Sequence, residues 1–360
     1  MLRLETRPQP SKVMSLLSPV LALVLTAIIA AILFALLGKD PVRGLGIFFV
    51  EPLSSLRQFS EVLLKATPLI VIALGLAVCY RSNVWNIGAE GQYLLGALAG
   101  GGVALWLTTH GIVLPKIVAV PLVLVGGVLG GMAWAAITAL LRDKFNASEI
   151  LVSLMLVYVA QQLVNYLVFG PWKDPAGFNF PQTKNFDPST WLPNLLAGTR
   201  LHLGFVIALV AVGLMWVFMF RMFRGYQLQV GGLAPDAARY AGFSASTSMW
   251  TALMISGGMA GLAGGMDAIG TLRQITPHMS AGLGFTAIIV CFVGRLHPVG
   301  IVFAGILLSM MLIGGELGQS RLGLPNALTG VFQGLLLVLL LACDTLINYR
   351  IRVRAGLAHA

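Results

Sequence analysis

Three polar side chains, Asn86, Glu90 and Gln92, lie close together in Arg81-Ser82-Asn83-Val84-Trp85-Asn86-Ile87-Gly88-Ala89-Glu90-Gly91-Gln92, between two apolar stretches with no room for a long loop. Amides and a carboxylate are unfavourable in hydrocarbon, so they must face protein, water or a solute pathway, and hydrogen bonding to one of these is the chemistry open to them. Gly88 and Gly91 weaken the helix around them. A second interruption, Gly294-Arg295-Leu296-His297-Pro298, splits the apolar run 285–311 in the other half of the chain. Paired interruptions point to a substrate pathway, because unwound backbone is tolerated at membrane depth only where it lines a cavity or is covered by protein. The first interruption also reads as a short cytoplasmic turn, which Arg81 favours.

No constellation for covalent chemistry accompanies these groups. The only Gly-Lys pair, Gly38-Lys39, is followed by Asp40 and lacks the upstream glycine of a phosphate loop. There is neither a His-Glu-x-x-His helix nor a Gly-x-Ser-x-Gly elbow, and the five histidines are scattered. Cys79, Cys291 and Cys343 lie in or at the ends of apolar runs, so neither a disulfide nor a metal site is expected. Glu90 and Asp267 are the carboxylates an ion-coupled carrier would have to use; Asp267 reads as solvated near the outer end of its span.

The other polar feature is Gly231-Gly232-Leu233-Ala234-Pro235-Asp236-Ala237-Ala238-Arg239-Tyr240-Ala241-Gly242, an insert between apolar runs. Pro235 suits the first turn of a helix, Asp236 complements its positive end, and Arg239 and Tyr240 follow one turn on. This spacing predicts a short surface helix whose few apolar residues anchor it poorly in lipid. It reads as a handle through which a soluble ATPase moves a membrane subunit.

The elements that must position these groups are membrane helices. The 360 residues are 58% hydrophobic and 10% charged, far from the roughly 25% charged of a soluble domain. Runs at 16–37, 63–80, 87–107, 117–141, 150–169, 201–220, 249–269 and 324–347 approach or exceed the length needed to cross a bilayer, and the interrupted run brings the count to about ten. The expected fold is an all-α polytopic bundle, with a leader at 1–15, a transmembrane domain at 16–347, an external loop at 170–200, an insert at 222–247 and a basic tail at 348–360. The first span is too long for a signal-peptide core and is expected to stay as an anchor.

The net charge of +10 sits at span ends and not on one face, so it reads as membrane topology and not as a nucleic-acid surface. Arg3, Arg7 and Lys12 before the first span, and Arg350, Arg352 and Arg354 after the last, put both termini in the cytoplasm. Loop 170–200, rich in Pro, Asn and aromatics, reads either as an interfacial belt or as a docking surface. Gly257, Gly261 and Gly265, and the pairs Gly126/Gly130 and Gly127/Gly131, mark close-packing faces, within the chain or between subunits. Asn146 or Ser148 is placed to cap the helix that Glu149 opens, and Gln161, Gln162 and Asn165 line the pathway or bond a neighbouring helix.

Four segments in order, 86–92, 145–156, 233–242 and 284–300, resemble the permeases of bacterial ABC importers in the branched-chain amino acid/ribose permease superfamily. The nearest likeness is to the nucleoside-type and simple-sugar branch served by a basic-membrane-protein-like lipoprotein. The resemblance implies about ten spans with discontinuous helices and internal pseudo-repeats. It also implies a second permease subunit in a heterodimer or homodimer, two ATP-binding cassette ATPase subunits and an extracytoplasmic substrate-binding protein, all at the bacterial inner membrane. Leu233, Pro235, Asp236, Ala237, Ala238, Arg239 and Tyr240 would form the coupling helix, and Asn86, Glu90, Gln92 and Phe285 would lie near the pathway. The implied activity is ATP-driven uptake of a nucleoside or related purine, or of a simple sugar, with no cofactor on this chain and ATP used by its partners. His297 departs from the pattern, which has a smaller amide or hydroxyl residue there.

Overall fold

Backbone groups find no water in hydrocarbon, so each apolar run closes its own hydrogen bonds as a helix. The structure, a computed structural model, describes residues 2–7, 9, 11–325 and 327–353; Arg354 and the remainder of the expected basic tail lie outside the described residues. In order, the elements are β1 (Leu2–Thr6), α1 (Lys12–Leu36), α2 (Pro41–Leu45), α3 (Leu56–Arg81), α4 (Ala89–Thr109), α5 (Lys116–Phe145), α6 (Glu149–Phe169), α7 (Gly204–Arg221), α8 (Phe223–Leu233), α9 (Pro235–Tyr240), α10 (Ala245–Asp267), α11 (Leu283–Val293), α12 (Pro298–Leu322), α13 (Ala327–Asn348) and β2 (Tyr349–Val353). Among the described residues, eight helices are long and apolar enough to cross a membrane. The glycine-rich α4 and the short α11 are the ninth and tenth elements of the expected set.

The described chain forms two compact units. One joins the residues up to Ser55 with those from Met310 onward. There α1 packs on α13, the Ser18 hydroxyl donates to Asp344 at 2.5 Å, and the rings of Phe34, Phe48 and Phe332 meet at 5.4–5.6 Å. Residues between α1 and α3, which carry no helical period in the sequence, fold as α2, a π turn (Gly46–Val50) and a 3-10 turn (Glu51–Leu53), and Glu51 pairs with Arg321. Strand β1 pairs antiparallel with β2, Leu2 opposite Val353 and Thr6 opposite Tyr349. The two described ends of the chain therefore pair with each other.

The second unit, Leu56–Ser309, carries the interruptions and the insert. Its centre is a three-helix contact of α4, α5 and α10 in which glycines bring backbone against backbone. A Cβ on Gly127 would lie 2.8 Å from the Gly261 carbonyl oxygen, and one on Gly131 would lie 2.7 Å from the Gly261 Cα. Gly96 of α4 abuts Gly261 as well. Of the two readings of these glycine faces, Gly127, Gly131, Gly257 and Gly261 thus follow the intrachain one. Asn146 differs from expectation: it ends α5 in the left-handed conformation (φ 50°), while Ser148 occupies the start of α6. A short amide side chain tolerates that conformation, so a helix stop takes the residue that was placed as a helix start.

Gly261→Val is expected to destabilise the protein by more than about 2 kcal/mol, because the facing atoms are backbone and cannot swing aside. Gly213→Ala in α7, where an added Cβ meets open space, should instead stabilise by about 0.5–1 kcal/mol through lost chain entropy. Thermal unfolding of the purified protein in one detergent, compared across the two variants, checks both signs.

Candidate functional site

Residues 82–88 leave the helix, with Asn83 left-handed (φ 55°), and fold back into the bundle around Asn86. The fully buried Asn86 side chain donates to Gln92 Oε1 and to Ser256 Oγ, both at 2.9 Å. Its own oxygen accepts from the Gly88 amide at 3.0 Å and from Gln92 Nε2 at 3.2 Å. Tyr80 donates to the Asn86 carbonyl at 3.2 Å, and the Ile87 amide donates to Ser153 Oγ at 3.2 Å. An amide has two donors and two lone pairs, so the Asn86 side chain is saturated by protein. This knot ties the segment to α4, α6 and α10.

Glu90, in the first turn of α4, is buried and points at the start of α11. Its carboxylate accepts from Ser280 Oγ at 2.5 Å, from the Gly282 amide at 3.2 Å and from the Gly284 amide at 2.6 Å. An anion at a helix start complements the unpaired amides and the positive dipole end. Gly284 has no room for a Cβ, which would sit 2.5 Å from the Glu90 Cα. Phe285, one residue on, is 39% exposed in the single chain.

The other end of α11 is the second interruption. Arg295 and Leu296 are both left-handed (φ 55° and 53°), and the Leu296 amide returns to the Cys291 carbonyl at 2.9 Å. This turns the Leu296 carbonyl outward, where Arg81 Nε donates to it at 2.9 Å. The two interruptions, far apart in sequence, are thus in direct contact. Arg81 also lies over the Phe220 ring at 4.9 Å, and that ring meets the His297 ring at 5.2 Å. His297 Nδ1 accepts from the Val299 amide at 3.3 Å, so the residue that departs from the family pattern caps α12.

The insert holds two helices where one was expected: α8 packs on α7 and α3, and α9 follows after Ala234. Leu233, Pro235, Asp236, Ala237, Arg239 and Tyr240 are exposed, Leu233 at 85% and Tyr240 at 96%. Ala238 alone turns inward, at 5%. Beside it is a cavity of about 540 Å³ between residues Ser82, Val84, Asp236, Arg239, Phe243 and Ser248.

At the far end of the unit, segment 170–200 is bound to the stretch after α10 and does not merely lie over the surface. Thr183 and Phe186 donate through their amides to the Ile275 and Arg273 carbonyls, and Arg273 lies over the Trp191 ring at 4.1 Å. Arg200 forms a two-pronged pair with Glu61 at 2.6 and 2.9 Å. Asp267 is not solvated as expected: it is buried, accepting from Tyr93 at 2.7 Å and Thr271 at 3.0 Å, because the chain continues past it as a π turn (Ala268–Leu272). Gln161 donates to the Pro277 carbonyl at 2.9 Å, bonding a neighbouring segment. The partners Ser153, Ser256, Ser280 and the Leu296 carbonyl gave no signal in sequence, since a serine or a peptide oxygen becomes notable only when something buried is aimed at it.

A helical membrane bundle with two touching helix interruptions and an exposed α9 is the architecture expected of a permease-class transport subunit. The chain belongs to the branched-chain amino acid transport system / permease component family, whose model matches residues 58–341. It is 33% identical to the glucose ABC transporter permease protein TsgB13 of Haloferax volcanii, over 93% of this chain and 90% of that one. It is 28% identical to the nucleoside ABC transporter permease protein NupB of Lactococcus lactis, over 89% of each. It is 29% identical to the guanosine ABC transporter permease protein NupP of Bacillus subtilis, over 90% and 92%.

Glu90→Leu removes the acceptor for the amides of Gly282 and Gly284. A hydrogen bond to a charged group is worth about 1.5–3 kcal/mol, so amide exchange through 282–286 should accelerate about 10- to 100-fold. Exchange within the α4, α5 and α10 contact should stay as in the wild type. Unchanged protection at 282–286 would show that the carboxylate does not hold α11.

Proposed function

We propose that this chain is the membrane-spanning subunit of an ATP-driven importer that carries a nucleoside or related purine compound into the cytoplasm. The observation that carries the reading is the bare face of α9 in a chain of the permease family: seven of the eight residues 233–240 stand exposed, and a membrane subunit without a phosphate loop needs an external source of ATP energy. On this reading Leu233, Pro235, Asp236, Ala237, Arg239 and Tyr240 seat in an ATPase cleft, while the inward Ala238 fixes α9 to its own chain. Two ATPase subunits, a second permease of different sequence and an extracytoplasmic binding protein complete the assembly, in the inner membrane with both termini cytoplasmic. The relatives named for nucleosides and for guanosine support the nucleoside reading, the latter its purine form, and the glucose permease relative supports a simple sugar as the second one.

The pathway lies along α11, where Phe285 is open; Glu90 holds the start of that helix, while Asn86 and Gln92 hold the turn before α4 instead of touching the solute. Glu90 and Asp267, the carboxylates an ion-coupled carrier would have to use, are each engaged by protein donors. Selectivity is then carried chiefly by the external binding protein. Titrating that protein with guanosine, adenine and glucose names the substrate, and binding of glucose alone replaces the nucleoside reading with the sugar one.

Cysteines placed at Ala237 and Asn185 test the orientation. An impermeant thiol reagent applied to intact cells should reach position 185 and spare 237; the native cysteines are buried and contribute little background. Labelling at 237 from outside overturns the topology. Ala237→Glu should abolish co-purification of the ATPase subunits with the folded permease, as a central clash at an interface costs about 2 kcal/mol or more. Ala238→Glu is the poorer test, because it strikes the chain's own packing.

A further inference from the structure

The guanidinium of Arg81, at the end of α3, bonds or covers three neighbouring segments at one point. Arg81 ends α3, Nε bonds the carbonyl of Leu296 beyond α11, Nη1 lies 3.4 Å from Gln229 Oε1 on α8, and the plane covers Phe220 near the end of α7. Gln229 in turn donates to the Met219 carbonyl at 2.6 Å, tying α8 to α7. Gly232, at the end of α8, presses on the backbone of Arg81 and Ser82 so closely that no Cβ fits. Among the described residues, the partners of Arg81 are a carbonyl, an amide oxygen and a ring, not a carboxylate. Its charge is held by oriented carbonyl and amide oxygens and by an aromatic face, an arrangement with definite direction.

We propose that Arg81 is the positioning residue that passes movement of the insert to α11, an inference that rests on reading α9 as the ATPase contact. Helices α8 and α9 are joined by Ala234 alone, so a displacement of α9 reaches α8 directly. From α8 the contact runs through Gln229 and the Gly232 backbone to Arg81, and from Arg81 to Leu296. Helix α11 is held at its other end by Glu90, which fixes a pivot there. A pull on the Leu296 carbonyl therefore tilts α11 about its start and moves Phe285 little, while it shifts the 294–298 turn and the first residues of α12. Packed chains with two arrangements transmit in this way, and the physical warrant is an element that both sites bias. Arginine suits the role where lysine does not, since one planar group bonds in two directions and stacks on a third.

The test uses the complete transporter, permease pair with ATPase subunits, in lipid nanodiscs. A reporter cysteine replaces Val299, which is exposed at the start of α12, and its reaction rate with a thiol reagent is compared with and without ATP plus vanadate. With Arg81 present the rate should change on nucleotide trapping. In Arg81→Gln the complex should still hydrolyse ATP, but the nucleotide-dependent change should shrink about tenfold, matching loss of one charge-assisted bond. Arg81→Lys should recover part of it through the Leu296 carbonyl, and Gln229→Leu should fall between. A purely structural role would lower hydrolysis and reporter response together and leave their ratio fixed; that result overturns the proposal. So does a reporter that ignores nucleotide with Arg81 in place, or a full response in Arg81→Gln. If Arg81→Gln fails to assemble, a wild-type response in Gln229→Leu overturns it instead. Failure of the α9 reading is seen separately, as ATPase subunits that remain bound to Ala237→Glu.

Discussion

A helix of eleven residues inside a membrane cannot satisfy its own ends. At about 1.5 Å per residue α11 spans roughly half of a hydrocarbon core of about 30 Å, and water is not available to its unpaired amides and carbonyls. Both ends are anchored from one short stretch: Glu90 takes amides at the start, and at the other end the 294–296 turn closes the last carbonyls while Arg81 holds the outward carbonyl of Leu296. These two residues bracket the first interruption, and their positions explain it. The chain must leave α3 at Arg81, turn, and begin α4 in time to place Glu90 at the opposite end of the same half-helix. The Asn86 knot holds that turn without solvent.

The glycine contact of α4, α5 and α10 supplies the frame on which the clamp closes. Glu90 stands on α4, and Ser256, which holds Asn86, stands on α10, so the spacing of those two helices sets the geometry of the whole polar cluster. Hydrogen bonds lose most of their value when displaced by a few tenths of an ångström or bent. Backbone-to-backbone packing has little give, because there is no side chain to repack. The hydrogen bonds of the clamp and the incompressible contact beneath it therefore require each other.

Much of this was legible in the residues. Expensive polar groups between apolar runs marked both interruptions, and the glycine period marked the packing face. The insert was visible from Pro235 and Asp236, yet α8 was not, because its Gly225, Gly231 and Gly232 weaken a helical pattern that tertiary contact with α7 and Arg81 restores. The inward turn of Ala238 was equally hidden: in a six-residue helix of small side chains no apolar period distinguishes the faces. Asp267 misled because it falls two residues before the expected end of its span at 269, whereas Tyr93 and Thr271 allow the chain to carry it inside. In each case the deciding partner lies on another element, at a sequence distance that local pattern does not register.

The pairing of β1 with β2 places a particular demand on biosynthesis. Strand β1 and helix α1 emerge some three hundred residues before their partners β2 and α13. At about 5–20 residues per second the interval is on the order of tens of seconds. Throughout it an unpaired strand edge and the Phe34 and Phe48 rings await Phe332. A chain halted before α13 leaves that strand edge and those rings without their partners.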